Sequence, residues 1–344
     1  MITFLGTEDG IGSIRDNAPM VDPLSRDRIE LVTYRDAFHR SDWHSGAIIF
    51  GDLERLLPFE IVLSTRLWQR FSASGAQVRL LNHPTRSLHR FALLRKLRAL
   101  GMHDFDVWRA DENRDGMRFP VLLHGERDHD GPIGGLLHKR PALDRALEKL
   151  GEEGRGLNGI LVIEFCETRS PDGLYRKYGT FRVGERLVHR HLFLSADWCV
   201  KRRESALGPE HSRAAVEDEE AAFMLADKFS PMVAEVFRIA GIDYGRMDYA
   251  FKDDGIRVWE INTNPMLGQH ERYQGKSIYE RFVVRSFDML RDALLALDPD
   301  RDDTPFWIEP VRSPAVATAS AAGPSANWRR IFGGRRGRVA RTQP

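Results

Sequence analysis

The chain has 344 residues, of which 42% are hydrophobic and 29% are charged, and its net charge is +1. This length predicts two or three packed units, and this composition is typical of a folded globular protein rather than a disordered or fibrous one. No stretch reaches the roughly 20 apolar residues of a membrane-spanning helix. The two cysteines cannot build a disulfide framework, so the sequence predicts an unexported, cytoplasmic protein.

Short strands alternate with helix in the first part of the chain. The residue pattern predicts strands at 29–34, 47–51 and 78–82, with a helix at 65–74 before the last of them. We therefore expect a small α/β domain over residues 1–84.

From residue 85 to about residue 300 helices are mixed with longer strands. Ser87 is expected to be the N-cap of a helix that runs through Leu100 and is closed by Gly101. Further helices are predicted at 139–151, 214–240 and 278–297, and strands at 119–124, 160–166, 175–183, 186–194, 244–252 and 256–264. The fold class is thus expected to be α+β, with one lobe at about 85–158 and a second at about 159–300.

The end of the chain has a different composition. Seven arginines and no acidic residue lie in 310–344. Subtracting these seven positive charges from the net charge of +1 leaves a net charge of −6 on residues 1–309. Residues 313–327 are almost entirely small or turn-forming, so we expect a flexible basic tail over 301–344. The tail contains an aromatic and basic stretch at 328–341 that could contact an acidic partner, nucleic acid or anionic lipid, or could simply be solubilising.

The most informative segment contains two adjacent strands with polar faces. Arg246 and Asp248 share one face of the first strand, and Glu260, Asn262 and Asn264 share one face of the second, because side chains alternate with period 2.

The loop between these strands decides whether the two polar faces coincide. A two-residue Asp-Gly loop would pair Asp253 with Ile256 and send the carboxylates to opposite faces. A three-residue loop with Gly255 in the left-handed region would pair Lys252 with Ile256 and set Asp248 opposite Glu260 and Arg246 opposite Asn262. We predict the longer loop because the other face then collects apolar side chains. These are Met247, Tyr249, Phe251, Trp259 and Ile261.

Two carboxylates that face each other across a strand pair repel unless a cation lies between them. Oxygen ligands without His or Cys favour a hard ion such as Mg²⁺, with Mn²⁺ as an alternative, and Mg²⁺ usually shares its coordination shell with phosphates. Arg246 beside them could hold a further anion. The alternative is a surface hairpin with polar cross-strand pairs.

The order Arg-x-Asp, eleven residues, then Glu-x-Asn before a proline resembles the metal-binding strand pair of the ATP-grasp superfamily. That superfamily includes D-alanine–D-alanine ligase, glutathione synthetase and the glutamate ligases that extend protein C-termini. The resemblance implies two α+β lobes that clasp ATP, preceded by an α/β domain. It also implies that Asp248, Glu260 and Asn262 ligate two Mg²⁺ ions on the ATP phosphates. Arg246 would steady the acyl-phosphate or tetrahedral intermediate, and Asn264 is a second catalytic candidate.

The predicted strand at 160–166 resembles the hinge strand of the same superfamily. The resemblance implies that Glu164 lies at the adenine amino group and that backbone groups of Phe165 and Glu167 read the purine edge. It further implies that Glu167 or Asp172 contacts the ribose. A buried strand that ends at a solvated glutamate is the alternative.

Segment 119–135 resembles the strand and Gly-rich loop that close over the phosphates. The two positions that hold phosphate-binding lysines in the superfamily are His124 and Arg90 here, and Arg127 could compensate from the loop. Lys177, on a later strand, is the candidate that reaches the nucleotide or the intermediate.

Two histidines, His189 and His191, are spaced so that they would share one face of a strand. No third ligand accompanies them, so we expect a satisfied or exposed pair rather than a metal site.

Together these features predict an ATP-dependent ligase that joins a carboxylate to an amine, or to a thiol, through an acyl phosphate. Its substrates would be a small-molecule or peptide carboxylate and an amine acceptor. Two alternatives stay open: phosphorylation of a hydroxyl on the same fold, and nucleotide binding without turnover in a sensor or partner-binding protein. The second is motivated by His124 and Arg90.

Overall fold

The computed structural model describes residues 1–17, 27–200, 213–225, 229–265 and 278–311. The chain divides into two compact units, Met1–Val311 and Arg312–Pro344. The second unit, with the basic stretch predicted to contact partners, lies outside the described residues.

The first part of the chain forms a parallel sheet with the strand order β2-β1-β4-β5. Its central strand β1 is buried at every position, as expected for a strand covered on both faces. The strands are β1 (Ile2–Gly6), β2 (Ile29–Thr33), β4 (Gly46–Phe50) and β5 (Val78–Leu81), and a separate short strand is β3 (Asp42–His44). The helices of this part are α1 (Glu8–Asn17), α2 (Tyr34–His39) and α3 (Pro58–Ala73).

An antiparallel sheet with the order β6-β9-β7-β8 follows. It consists of β6 (Val107–Arg109), β7 (Val121–Gly125), β8 (Ile133–Leu137) and β9 (Ile160–Glu164), with the helices α4 (Arg90–Ala99) and α5 (Arg140–Glu152). Because β9 pairs with both β6 and β7, this sheet extends through Glu164, past the lobe boundary predicted near residue 158. Three leucines of α5 cover the sheet, and they are Leu143, Leu147 and Leu150.

A second antiparallel sheet has the order β11-β10-β12-β13. It contains β10 (Tyr175–Val183), β11 (Arg186–Ser195), β12 (Tyr244–Lys252) and β13 (Gly255–Asn262), and the accompanying helices are α6 (Arg213–Leu225), α7 (Ser230–Ala240) and α8 (Ile278–Leu295). The single helix predicted at 214–240 is wrong, since α6 and α7 are separate elements. Pro231 lies in the first turn of α7, where its missing N–H costs no helical hydrogen bond. The mixture of these sheets and helices confirms the predicted α+β class.

The prediction of Ser87 as a helix N-cap is wrong, because α4 begins only at Arg90. The Ser87 hydroxyl instead donates to the Gly241 carbonyl at 3.1 Å, and the Leu88 amide donates to the Ala240 carbonyl at 2.7 Å. These bonds fix the segment against the end of α7, so it is not helical.

Residues 301–311, which composition assigns to a flexible tail, belong to the folded unit. The strand β14 (Pro305–Trp307) pairs antiparallel with β3, and Ile308 and Val311 are buried in the core of the first domain. These apolar side chains return to the sheet after a short polar run, which explains the error in the predicted boundary.

The hairpin of β12 and β13 places Asp248 opposite Glu260 and Arg246 opposite Asn262, as predicted. The predicted three-residue loop is wrong, because Lys252 pairs with Gly255. A β-bulge restores the register, since Trp259 has no partner between the pairs Asp248–Glu260 and Tyr249–Val258. The bulge turns Trp259 away from the apolar face that the longer loop would have given it, and the indole packs near Phe105, at 5.8 Å between ring centroids.

Among the described residues, no helix is both long and apolar enough to cross a membrane.

Asn82 joins the first domain to the second antiparallel sheet. Its buried side-chain amide donates to the carbonyls of Phe50, at 3.1 Å, and Tyr244, at 2.8 Å. Its Oδ1 accepts from the backbone amides of Asp243, at 2.8 Å, and Tyr244, at 2.9 Å. Its φ of 63° lies in the left-handed region, which Asn tolerates better than most residues.

We expect Asn82→Ala to lower the free energy of unfolding by about 3 kcal/mol or more, because it leaves several buried backbone groups unpaired and puts alanine at positive φ. The measurement is urea unfolding followed by tryptophan fluorescence. The same substitution at the exposed Asn113 is the control and should cost less than about 1 kcal/mol. Similar losses at both positions would contradict the linking role of Asn82.

Candidate functional site

A cavity of about 410 Å³ lies between the two antiparallel sheets. One end is apolar and the other is charged, a combination typical of sites that bind a small organic ligand with an ionic group. The apolar end includes Leu94, Phe105, Leu122, Ile163, Phe165, Trp198 and Trp259. The charged end includes Arg90, Lys177, Asp248 and Glu260.

Asp248 is a buried carboxylate between two basic side chains. Arg246 Nε donates to its Oδ1 at 2.9 Å, and Lys177 Nζ lies 3.3 Å from its Oδ2. Burial alone would raise the pKa of Asp248, but Arg246 and Lys177 outweigh burial and hold the pKa below its ordinary range. Asp248 is therefore ionised at neutral pH.

Glu260 is held by groups of the other lobe. Arg90 Nη2 and His129 Nδ1 both bond to its Oε2, the histidine at 3.1 Å. Burial opposes ionisation, but Arg90 and His129 hold the pKa of Glu260 well below its ordinary range. The sequence did not single out His129.

His129 bridges two carboxylates from different parts of the fold. Its Nε2 lies 3.1 Å from Oε1 of Glu54, a buried side chain that follows β4. Burial alone would lower the pKa of His129, but Glu260 and Glu54 raise it to about 9, so the ring is an imidazolium at neutral pH. Glu54 in turn accepts from the backbone amide of Thr263 at 3.2 Å.

The predicted metal ligands form a set of oxygen donors. Asp248 and Glu260 face each other, and Asn262 lies beside them with its Oδ1 bonded to the backbone amide of Asn264 at 2.7 Å. In the part of the chain that the structure describes, no group of three or more His, Cys, Asp and Glu residues is suited to a metal. Two carboxylates and an amide fit a hard cation such as Mg²⁺ that takes its other ligands from phosphate and water.

Four basic groups surround the two carboxylates, and when Glu54 on the other side of His129 is counted, they outnumber the acidic groups of this network by one. They are Arg90, His129, Lys177 and Arg246. Such an excess attracts a polyanion and offsets its charge.

His124 and Arg127 differ in their suitability for a phosphate. Arg90 Nη1 donates to His124 Nδ1 at 2.9 Å, and burial together with Arg90 lowers the pKa of His124, so this ring is neutral. Arg127 Nη1 instead contacts the Leu56 carbonyl at 3.4 Å. Arg127 lines a neighbouring cavity of about 950 Å³ that also includes Arg55.

Glu164 lines the apolar end of the cavity, but its carboxylate is held within its own lobe. It accepts from the Arg118 backbone amide at 2.8 Å, from Arg118 Nη2 at 2.6 Å and from the Asp106 amide at 3.1 Å. The Phe165 amide donates to the Pro120 carbonyl at 2.9 Å. Arg118 was not predicted to belong to the site, because it lies 46 residues from Glu164 along the chain.

The two candidates for a ribose contact do not line the cavity. Glu167 is exposed and accepts from the Arg169 amide at 3.0 Å, while the exposed Asp172 pairs with Arg176 at 2.7 Å. Thr168, which was not among the predicted site residues, lines the cavity instead.

Asn264 lies where the first domain meets the second antiparallel sheet. A Cβ added at Gly10 would lie 2.6 Å from Asn264 Nδ2 and 1.9 Å from Asp52 Oδ2, so glycine permits this close approach. The Asn264 Oδ1 is buried and accepts no hydrogen bond from the residues that the structure describes. This predicted catalytic residue is thus outside the lining of the cavity.

The expectation that His189 and His191 share one face is wrong. Gly179 pairs with His191 and Thr180 pairs with His189, so Arg190 is an extra residue in β11. This β-bulge sends the two rings to opposite faces of the sheet, because neighbouring residues of β10 point in opposite directions. His189 Nδ1 lies 2.8 Å from the Thr180 hydroxyl, whereas the His191 ring lies over Gly179.

Comparisons with known proteins give similar structures but no sequence match. No protein-family model and no curated sequence matches the chain. The chain is similar to D-alanine–D-alanine ligase from Bacillus anthracis complexed with ATP, at 14% identity and a TM-score of 0.47 over 88% of this chain and 97% of that one. It is similar to ATP-grasp ligase PsnB complexed with a minimal precursor variant, Mg and ADP, at 14% identity and a TM-score of 0.46, over 86% and 96% of the two chains. It is also similar to D-cycloserine synthetase DcsG, at 17% identity and a TM-score of 0.46, over 86% and 100%. Such identities leave the activity to be argued from this chain's own side chains.

His103 lies behind the apolar end of the cavity and stacks on Phe105, with ring centroids 4.3 Å apart. Its Nε2 accepts from the Val258 backbone amide at 3.0 Å. Burial, with Arg257 nearby, lowers the pKa of His103 to about 3. The unfolded chain therefore binds a proton at this histidine before the folded chain does as the pH falls.

We expect the contribution of His103 to stability to be complete above about pH 6.5 and to fall by about 1.4 kcal/mol per pH unit below it, until the folded-state pKa is reached. The destabilisation caused by His103→Gln should consequently shrink as the pH falls. Urea unfolding of both proteins between about pH 7.5 and about pH 4.5 measures this difference. A difference that is constant with pH would contradict the assignment of a neutral, buried ring.

Proposed function

We propose that this protein is an ATP-dependent ligase that joins a carboxylate to an amine, or to a thiol, through an acyl phosphate. The observation that carries the proposal is a pair of ionised carboxylates, the buried Asp248 and the largely buried Glu260, which face each other amid four basic groups at the end of a largely apolar cavity. Adenine fits the apolar end, and the triphosphate with Mg²⁺ fits the charged end.

Asp248, Glu260 and Asn262 would hold the metal, which neutralises charge on the phosphates when bound. Arg90 and Lys177 would bind phosphate oxygens, and Arg246 would stabilise negative charge that develops on the acyl group. The γ-phosphoryl group passes to a carboxylate oxygen of the substrate and ADP leaves. The amine nitrogen or thiol sulfur then bonds to the acyl carbon, and phosphate leaves with the bonding electron pair.

The substrates of this reaction are a small-molecule or peptide carboxylate and an amine acceptor. The cytoplasmic location stays a prediction.

A second candidate function is ATP binding without turnover. It is favoured by His124, which is neutral and bonded to Arg90, so that it adds no positive charge for a phosphate. Phosphorylation of a hydroxyl has no observation of its own in its favour.

We expect calorimetry to detect Mg²⁺-dependent ATP binding to the intact protein, and Asp248→Asn and Glu260→Gln to weaken it by about tenfold or more, because each removes a charged metal ligand. Glu235→Gln changes an exposed glutamate that pairs with Arg238 and should leave the affinity unchanged. Absence of Mg-ATP binding to the intact protein would overturn the proposal.

Turnover separates the ligase from a protein that only binds ATP. We expect phosphate release from ATP to depend on both a carboxylate and an amine drawn from mixtures of amino acids and peptides. Asp248→Asn should abolish that release, since the variant lacks a carboxylate that would hold Mg²⁺ at the transferring phosphoryl group. Tight ATP binding with no release in any mixture would favour the second candidate.

A further inference from the structure

His191 is a buried side chain on the same face of the sheet as the two carboxylates. It belongs to a row of paired residues that crosses the four strands from β11 to β13, in the order His191, Gly179, Asp248 and Glu260. Adjacent strands are about 4.8 Å apart, so the row places the His191 backbone about 10 Å from that of Asp248.

The glycine between them leaves space that the imidazole fills. A Cβ added at Gly179 would lie 2.3 Å from both Cε1 and Nε2 of His191. The ring therefore extends from the edge strand β11 across β10, with its outer edge directed towards Asp248 on β12. Phe193 stacks on the ring at 4.2 Å between centroids and fixes its plane.

The Nε2 atom of His191 is buried and has no hydrogen-bond partner within the described part of the chain. The residue is only 9% exposed, so water satisfies this atom poorly. His191 does not itself line the cavity, but its ring is directed across Gly179 towards Asp248, which does. A buried polar atom without a partner is costly, and one directed at such a carboxylate points to a bond that a ligand completes.

The charge on the ring is set by its neighbours. Burial lowers the pKa of His191 well below its ordinary value, and Arg246 lowers it further. A neutral imidazole keeps one N–H to donate, as a ligand oxyanion requires, without adding charge beside Lys177 and Arg246.

We propose that His191 contacts the γ-phosphoryl group of the nucleotide, donating its Nε2–H to a phosphate oxygen that lies between Arg246 and Lys177. This assignment rests on the proposed function, since it requires the nucleotide phosphates to lie at Asp248. The β-bulge at Arg190 is what directs the ring to this face, and Gly179 is what lets it reach across.

The test compares Mg-ATP with Mg-ADP in calorimetry, because only ATP carries the γ-phosphoryl group. His191→Phe removes the donor and keeps a ring that can stack on Phe193. We expect it to weaken Mg-ATP binding by about tenfold, the effect of one hydrogen bond to a charged group, and to change Mg-ADP binding by less than about twofold. His191→Gln, which retains an N–H donor, should recover part of the Mg-ATP affinity.

His189→Phe is the matched control, because His189 is two residues away but on the opposite face. Its ratio of Mg-ATP to Mg-ADP affinity should equal that of the unaltered protein. Equal losses of both nucleotides in His191→Phe, or no loss, would overturn the assignment of His191 alone. Failure of the unaltered protein to bind Mg-ATP would overturn the proposed function as well.

Gly179→Ala provides a second route if His191→Phe does not fold. The added methyl group would displace the ring from Gly179 while leaving the imidazole in the chain. Thermal unfolding would establish that the variant is folded, and we expect the same selective loss of Mg-ATP affinity. An unchanged ratio of the two affinities in the folded variant would contradict the proposal.

Discussion

The structure depends on the neutralisation of two carboxylates, one buried and one largely buried, that face each other across a strand pair. Asp248 is neutralised by groups of its own sheet, whereas Glu260 is neutralised by Arg90 and His129 from the other lobe. The repulsion between the carboxylates would be severe at low dielectric without these partners. The requirement for charge balance therefore brings the two lobes together at one point, and the cavity is formed beside it.

The pairing of Asp248 with Glu260 could be predicted from the sequence because polar and apolar side chains alternate between the two faces along these long strands. The predicted loop length was wrong and the predicted pairing was right, because the β-bulge at Trp259 compensates for the shorter loop. Nothing local in the sequence indicates that bulge, because it depends on contacts that the indole makes with Phe105 in another lobe. The β-bulge at Arg190 could not be predicted from the sequence for a similar reason. Arg190 Nη1 bonds to the Ser286 hydroxyl of α8 at 3.0 Å, a contact between residues 96 positions apart.

Local patterns also failed where an element is buried on all sides or a partner is distant. The strand β1 lacks alternation because both of its faces are covered, so its five residues gave no period to read. The strand that carries Glu164 was predicted, although it ends at Glu164 and not at residue 166. The partner of this carboxylate, Arg118, is 46 residues away, so their contact could not be predicted from sequence spacing. The roles of Asp248, Glu260 and Asn262 as metal ligands, and those of the nucleotide-binding candidates, stay predictions that the geometry supports to different degrees.

The bridge made by His129 has a thermodynamic consequence. This imidazolium joins Glu260 at the cavity to Glu54 of the first domain. A ligand that displaces His129 from Glu260 would therefore also alter how the loop between β7 and β8 is attached to the first domain. Coupling of this kind is reciprocal, so a ligand in the cavity and a molecule at the first domain would change each other's affinity by the same factor. Ligands at the two ends of this bridge would thus be coupled through one side chain without touching each other.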